Sequence, residues 1–151
     1  MEQLQVAIGI HSLMKGTGVE DGLYMDLEVQ GTLENRDGVT VISYEKAADE
    51  ESDQMQQVTI FVEKDLVTVN QTGDMVSQLA FRLGQRSIGY YQTPFGTLEV
   101  GIFTTLLNWT TYQENPGEQP SHHFNLEYQL EMNGVNAGHH TLFMTIDPRK
   151  V

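Results

Sequence analysis

Five histidines are the residues of this chain whose type and spacing most suggest chemistry. They form two adjacent pairs, His122-His123 and His139-His140, with His11 near the start of the chain. Imidazole nitrogens bind transition metals, but a site normally needs three or four converging ligands. Neighbouring residues of a strand point to opposite faces, so one pair cannot place both rings on one ion. A metal site would therefore need the two pairs to meet.

The predicted hairpin between the two pairs keeps them apart. If Asn133 pairs with Gly138, then Glu131 faces His140 and Met132 faces the preceding histidine. The two pairs are then separated by about nine residues, on the order of 30 Å along the strands. We therefore expect no metal site, and an ordinary cross-strand contact between Glu131 and His140.

Nucleophilic catalysis finds little support in the residue pattern. The chain contains no Gly-x-Ser-x-Gly, no His-Glu-x-x-His and no phosphate-binding glycine loop. It has no cysteine, which removes thiol nucleophiles, disulfides and thiolate zinc sites. The acidic cluster of Asp49, Glu50, Glu51 and Asp53 lacks the ligand spacing of a calcium loop, and we expect it at a solvated hairpin tip. The sequence thus predicts neither an enzyme nor a cofactor.

Charge and length limit the partners and the architecture. The chain has 151 residues, with 8 Lys and Arg against 21 Asp and Glu, for a net charge of −13. Such a field repels phosphate backbones and anionic lipid surfaces, so we expect neither nucleic acid nor membrane as a partner. The stretch Met1–Leu4 lacks the features of a signal peptide, and no apolar run reaches transmembrane length. A single domain over residues 1–151, located in the cytoplasm, is the expectation.

Period-two alternation recurs in segment after segment and predicts strands throughout. Its longest instance lies within the stretch from Gly84 to Trp109, where one face of a strand carries Leu98, Val100, Ile102, Thr104 and Leu106. The short strand before it places Ile88 and Tyr90 on one face. A further strand alternates Phe124, Leu126, Tyr128, Leu130 and Met132 with polar residues. These apolar phases are expected to face a common core.

Roughly ten strands joined by short turns predict an all-β protein, an antiparallel up-and-down β-barrel of about 8–10 strands. The pair Asp37-Gly38 is typical of a two-residue hairpin turn. Glycines within strands favour a barrel, since sharply coiled strands bend at glycine; they are Gly9, Gly31, Gly89 and Gly101. Phe61, Phe103 and Phe143 fall on the outward phase of their strands, which leaves an interface, including a homodimer, open.

Several of these segments also resemble a known family. Phe95-Gly96-Thr97-Leu98-Glu99, followed by Thr104 or Thr105 and preceded by Tyr91, is similar to the YwiB-like family of small bacterial proteins. Further points of likeness are the Thr72-Gly73 turn after a strand of valines, Phe81, and Tyr128 two residues before Leu130. The resemblance covers Leu4 to Ile146, and it implies a lipocalin-like or calycin-type barrel without an assigned activity. The chain departs from the family pattern at Asn70, where an Arg is expected.

Two functions of different classes fit these observations. The first is non-enzymatic binding of a small hydrophobic or amphipathic ligand inside the barrel, because barrels of this strand number enclose room for one ligand. Its polar group would contact Thr104 and Tyr128, which are placed inward by phase, Tyr90, which shares a face with Ile88, and Tyr91, which comes from the resemblance. The alternative is a structural or protein-interaction module whose lumen is filled by its own side chains and which acts through its outer surface.

Overall fold

The computed structural model describes residues 3–16, 22–47, 55–73, 75–113 and 115–148. Within them ten antiparallel strands close into a barrel, as predicted. No helix in this part of the chain is long and apolar enough to cross a membrane. The predicted acidic hairpin tip, Asp49 to Asp53, lies outside the described residues. The strands are β1 Gln3–Lys15, β2 Leu23–Arg36, β3 Val39–Ala47, β4 Met55–Glu63, β5 Leu66–Thr72, β6 Val76–Arg82, β7 Arg86–Thr93, β8 Gly96–Tyr112, β9 Ser121–Met132 and β10 Val135–Asp147.

The strands follow one another around the barrel in chain order, and β1 pairs with β10 to close it. Because all neighbours are antiparallel, the turns alternate between two ends of the barrel. We call them the Arg36 end, where β2 turns into β3, and the Lys46 end, where β3 finishes. Every functional group discussed below is placed relative to these two ends.

Two hairpin turns show why the strands reverse where they do. Asp37 and Gly38 have φ angles of 52° and 86°, and Asn133 and Gly134 have 51° and 81°. Two successive residues at positive φ define the type I′ turn, whose twist matches that of the flanking strands. The prediction of a turn at Asp37-Gly38 is confirmed.

The core is a packed layer of inward side chains to which all ten strands contribute. The inner face of each strand follows the predicted period of two, so that Ile60, Val100, Ile102, Leu126 and Leu130 are buried as expected. Burying a branched aliphatic side chain contributes roughly 1.5–3 kcal/mol. Side chains that are almost completely buried in this layer are Val6, Ile8, Ile42, Val58, Val67, Val100, Ile102, Phe124, Leu126, Met144 and Ile146.

A β-bulge in β8 overturns one predicted inward residue. Pairing with β9 shifts register between Thr104 and Leu106, so the strand gains one residue there. Leu106, predicted inward, is 39% exposed, and Leu107 packs against the core instead. The bulge has a long-range cause, because the Thr104 carbonyl accepts a hydrogen bond from Gly84 N–H at 2.8 Å. The connection from β6 to β7 thus fixes the β8 backbone at this point.

Pairing between β2 and β3 covers only part of β2. The paired residues of β2 are Gly31 to Arg36. The first half of the strand, Leu23 to Gln30, pairs with β1 on one side and with no described strand on the other. Leu23 and Met25, in the apolar phase of β2, are consequently 56% and 47% exposed.

The predicted register of the last hairpin is wrong. The chain turns at Asn133-Gly134, so that Val135 and not Gly138 begins the pairing, and a one-residue shift follows between Asn136 and Gly138. His140 consequently lies opposite Tyr128 and His139 opposite Gln129, not opposite Glu131 and Met132. The bulge adds a residue to β10, which the sequence pattern around Gly138 does not reveal. His140 therefore lies on the inner face of the barrel.

The three phenylalanines predicted to face outward do so on separate parts of the wall. Phe103 is 42% exposed, whereas Phe61 and Phe143 are half-buried. Phe143 lies opposite Asn125 and Phe103 opposite Gln129, four residues apart on β9, or roughly 13 Å. Phe61 belongs to β4, four strands away from β8. The three side chains do not form one patch.

Candidate functional site

Polar residues occupy the inward phase of five neighbouring strands at the Lys46 end. Each continues a row that is apolar in the middle of its strand: Lys46 follows Ile42 and Tyr44 on the inner face of β3. Lys46 pairs with Gln56, and Ser77 pairs with both Gln71 and Tyr91. We call these five residues, from β3 to β7, the inner polar belt: Lys46, Gln56, Gln71, Ser77 and Tyr91.

A cavity of about 380 Å³ opens at this end of the barrel, and four of the five belt residues line it. Its opposite side is formed by Leu98, Leu130 and Met132 of β8 and β9. The cavity is therefore amphipathic, with hydrogen-bonding groups on one wall and aliphatic groups on the other. Its size is at the lower end of the range for small-molecule sites.

Lys46 is the one cationic side chain among the described residues that line the cavity, and none of these residues is an Asp or Glu. The ion pairs found in the described part of the chain join other residues. Burial lowers the pKa of the Lys46 ammonium, because partial removal from water disfavours its charged form. The cavity thus holds a partly desolvated positive charge that no carboxylate of the described residues compensates.

A second polar group extends from the belt into the barrel. Thr104, Tyr128 and His140 lie opposite one another on β8, β9 and β10. The Tyr128 ring stacks on His140 with centroids 5.0 Å apart, and its other neighbour is Phe81, also at 5.0 Å. Burial raises the pKa of Tyr128, and the nearby Tyr91 hydroxyl raises it further. The two tyrosines therefore join this row to the belt.

Three polar atoms on the inner face are buried without a hydrogen-bonding partner among the described residues: Ser77 Oγ, Thr104 Oγ1 and His140 Nε2. Ser77 is 4% exposed and Thr104 is 0% exposed. An unsatisfied buried donor or acceptor costs about 1–3 kcal/mol. Such groups are uncommon in folded proteins, and all three lie on the inner face of the barrel without being part of the cavity lining.

Of the four residues predicted to contact a ligand, the structure brings three together inside the barrel. Tyr91 lines the cavity, and Tyr128 and Thr104 lie on the inner face. The prediction for Tyr90 is wrong, because this side chain is 51% exposed on the outer wall. On β7 the residues opposite Leu98 and Val100 are Tyr91 and Gly89, so Ile88 and Tyr90 must point outward.

Sequence reasoning missed Lys46, Gln56, Gln71, Ser77 and His140. The first four carry a readable signal, since each stands in the apolar phase of its strand at one strand end. A lysine in phase with Ile42 and Tyr44 points inward wherever the strand continues. His140 has no comparable signal, because its face depends on the bulge at Asn136–Gly138.

Two other hollows of the barrel lack this combination of groups. The larger, about 950 Å³, is a groove on the outer wall over Ala7 and Gly9. Another, about 330 Å³, lies at the Arg36 end, where its inward lining is apolar, as at Val62, Leu107 and Trp109. None of the unpartnered buried hydroxyls or imidazole nitrogens lies on the inner lining of either hollow.

The histidines lie on different surfaces of the barrel and do not come together. On the outer wall His11 Nδ1 lies 2.7 Å from Asp26 Oδ1, and His123 packs between Tyr112 and Phe143. In the described part of the chain no three His, Asp or Glu side chains come together as metal ligands would. The inner site therefore has the character of a hydrogen-bonding and ionic surface.

Comparison with known proteins identifies the family. The family model described as Domain of unknown function (DUF1934) matches residues 10–144. The chain belongs to this family. No match was found among curated proteins.

The DUF1934 chain is also similar to a solved structure, described as the crystal structure of ywiB protein from Bacillus subtilis. The two share 16% sequence identity over 96% of this chain and 92% of that chain, with a TM-score of 0.78. At this identity the likeness establishes the barrel fold and nothing of its activity. The resemblance read from the sequence is confirmed.

Proposed function

We propose that this DUF1934 protein binds a small amphipathic molecule in the cavity at the Lys46 end, without performing chemistry on it. The observation that supports this is the two-sided cavity, with the inner polar belt facing Leu98, Leu130 and Met132. A molecule with a polar group and an apolar body matches both walls at once.

Binding without catalysis fits the chemical groups at hand. Tyr91 and Tyr128 have raised pKa values because they are buried, which keeps both hydroxyls protonated at neutral pH. Burial also lowers the pKa of His140, so its ring is neutral there and has Tyr128 as its stacking neighbour. These groups donate and accept hydrogen bonds, but none forms an activated nucleophile with a base and an orienting partner. The proposal needs no cofactor.

A thermal-shift experiment tests the proposal. Neutral, anionic and cationic amphiphiles with chains of about ten carbons match the cavity in size and character. A ligand at a hundred times its Kd adds about 2.7 kcal/mol to the free energy of unfolding. For a chain of this length that corresponds to an increase in Tm of roughly 5–10 °C.

Matched tryptophan variants locate the binding. Leu98→Trp fills the cavity and is expected to abolish the stabilisation, whereas Leu106→Trp, on the outer face of the same strand, should preserve it. Met132→Phe gives a second filled cavity if the first variant folds poorly. Equal stabilisation of the filled and control variants would place the ligand elsewhere.

The competing function is an interaction module that acts through the outer wall. It is supported by a ladder of side chains across five strands, in which His11, Phe143, His123 and Tyr112 contact one another in turn beside Asp26. If no amphiphile of the panel stabilises the protein, ligand binding is wrong and this outer ladder becomes the surface to test by substitution of Tyr112 and Phe143.

A further inference from the structure

We infer that the polar group of the ligand is a carboxylate and that Lys46 receives it. This inference deepens the proposed function and depends on it. It concerns the class of ligand, since a neutral alcohol or a cationic amphiphile would satisfy the cavity walls in general but would not compensate the charge of Lys46.

The position of Lys46 carries the argument. Of the six Lys and Arg residues in the described part of the chain, five are exposed to water, and Lys46 is the one that is half-buried. Lys46 points inward, pairs in register with Gln56, and has no carboxylate partner in the described part of the chain. A partly buried ammonium without a counter-ion is costly, and an anion in the cavity offsets that cost.

The remaining polar groups around Lys46 suit an anion as well. The hydroxyl of Tyr91 and the amide of Gln71 have O–H and N–H donors to offer, and no Asp or Glu among the described lining residues opposes a negative charge. An ionised carboxylate accepts about four hydrogen bonds through its two oxygens. Hydrogen bonds to a charged acceptor are roughly twice as strong as neutral ones.

One lysine matches a singly charged anion better than a doubly charged one. A phosphate monoester carries about −1.5 to −2 charges near neutral pH. Beside a single ammonium, part of that charge would stay uncompensated in a partly dry site, which costs free energy. The aliphatic wall of Leu98, Leu130 and Met132 then holds the chain of a short fatty acid or a similar carboxylic acid.

The net charge of −13 acts against any anion at long range, but not at contact distance. At about 0.15 M ionic strength the screening length is about 8 Å, so distant carboxylates contribute little inside the cavity. The overall charge is therefore expected to slow association more than it weakens the bound state.

Calorimetric titration with decanoate, decanol and decyl phosphate tests the inference at physiological salt and near-neutral pH. Four forms of the protein are compared: wild type, Lys46→Met, Lys46→Arg, and Lys64→Met as a control at an exposed turn of the Arg36 end. In Lys46→Met, decanoate affinity should fall by about tenfold to a hundredfold while decanol affinity is unchanged. Lys46→Arg should keep most of the decanoate affinity, and Lys64→Met all of it.

The other outcomes separate the two proposals. Unchanged decanoate affinity in Lys46→Met, or parallel loss of decanol and decanoate, overturns the carboxylate inference while leaving amphiphile binding intact. Tighter binding of decyl phosphate than of decanoate overturns the choice of carboxylate. If wild type binds none of the three compounds, and no other amphiphile stabilises it, the proposed function itself is wrong.

Discussion

The packed layer and the inner polar belt occupy the same inward face of the same strands and differ only in their position along them. On β3 to β5 the central inward residues are aliphatic, as at Ile42, Ile60 and Val69. Toward the Lys46 end the same rows finish in Lys46, Gln56 and Gln71. Inward orientation thus does not by itself make a residue part of the core.

The difference shows how a barrel can combine stability with a site. The packed layer supplies the apolar burial that holds the strands together. The belt places polar groups, among them the partly buried ammonium of Lys46, where further apolar burial would add stability, and it leaves a cavity for a ligand. Substitutions in the two regions should therefore have different, and in part opposite, effects.

The largest change in the free energy of unfolding is expected for substitutions in the packed layer. Leu126 is 1% exposed, and Leu126→Ala should lower the free energy of unfolding by about 2–5 kcal/mol, because a closely packed site cannot collapse around the lost atoms. Leu98→Ala, beside the cavity, should cost only about 1 kcal/mol, since Leu98 is half-buried and its neighbourhood is already open. Urea denaturation of both variants measures the difference. Equal costs would mean that the cavity region is packed as tightly as the core.

A change in the free energy of unfolding that is intermediate in size and opposite in sign is expected at Thr104. Thr104→Val keeps the shape of the side chain and removes an unpartnered buried hydroxyl, so the protein should be more stable by about 1–2 kcal/mol. Thr105→Val is the matched control, because the Thr105 hydroxyl donates to the Glu127 carbonyl at 3.2 Å and its loss should destabilise. Urea midpoints of the two variants on opposite sides of wild type confirm the contrast; a destabilised Thr104→Val contradicts it.

The same contrast explains how much could be predicted from the sequence. Strand periodicity identified the fold and the buried phase, because alternation is a local property of each segment. The hairpin turn at Asp37-Gly38 followed from two residues that tolerate positive φ. Phase also placed Thr104 and Tyr128 inward, and it contained the information for Lys46, which we did not use.

The errors arose where distant segments set the register. Leu106 faces outward because the backbone of Gly84 bonds to Thr104 and a bulge follows. His140 faces inward because β10 bulges before it. Tyr90 was predicted to point inward because it shares a strand face with Ile88, yet both side chains are exposed. Only the pairing of β7 with β8 decides which face of β7 is the inner one. One inserted residue reverses every face beyond it, so local pattern cannot predict these positions.

The smallest expected effect is a pH dependence that arises from His140. Burial lowers the pKa of His140 from the ordinary 6.5, and the neighbouring His139 lowers it further. The ring of His140 packs against Tyr128, and Met14 lies opposite His140 on β1. Because the folded-state pKa is below that of the unfolded chain, the unfolded chain takes up the proton first as the pH falls. The stability is therefore complete above about pH 6.5, decreases as the pH falls through this value, and levels off below the folded-state pKa.

Replacing His140 isolates its contribution to the pH dependence of stability. Burial also lowers the pKa of His122, so His140→Gln should flatten the stability profile between neutral and mildly acidic pH only in part, and adding His122→Gln should flatten it further. Urea midpoints at a series of pH values, compared with wild type, measure the change and cancel the shared contribution of the carboxylates. A slope unaffected by His140→Gln would show that the ring already reaches water, and that the interior behind the belt is more open than the packed layer beside it.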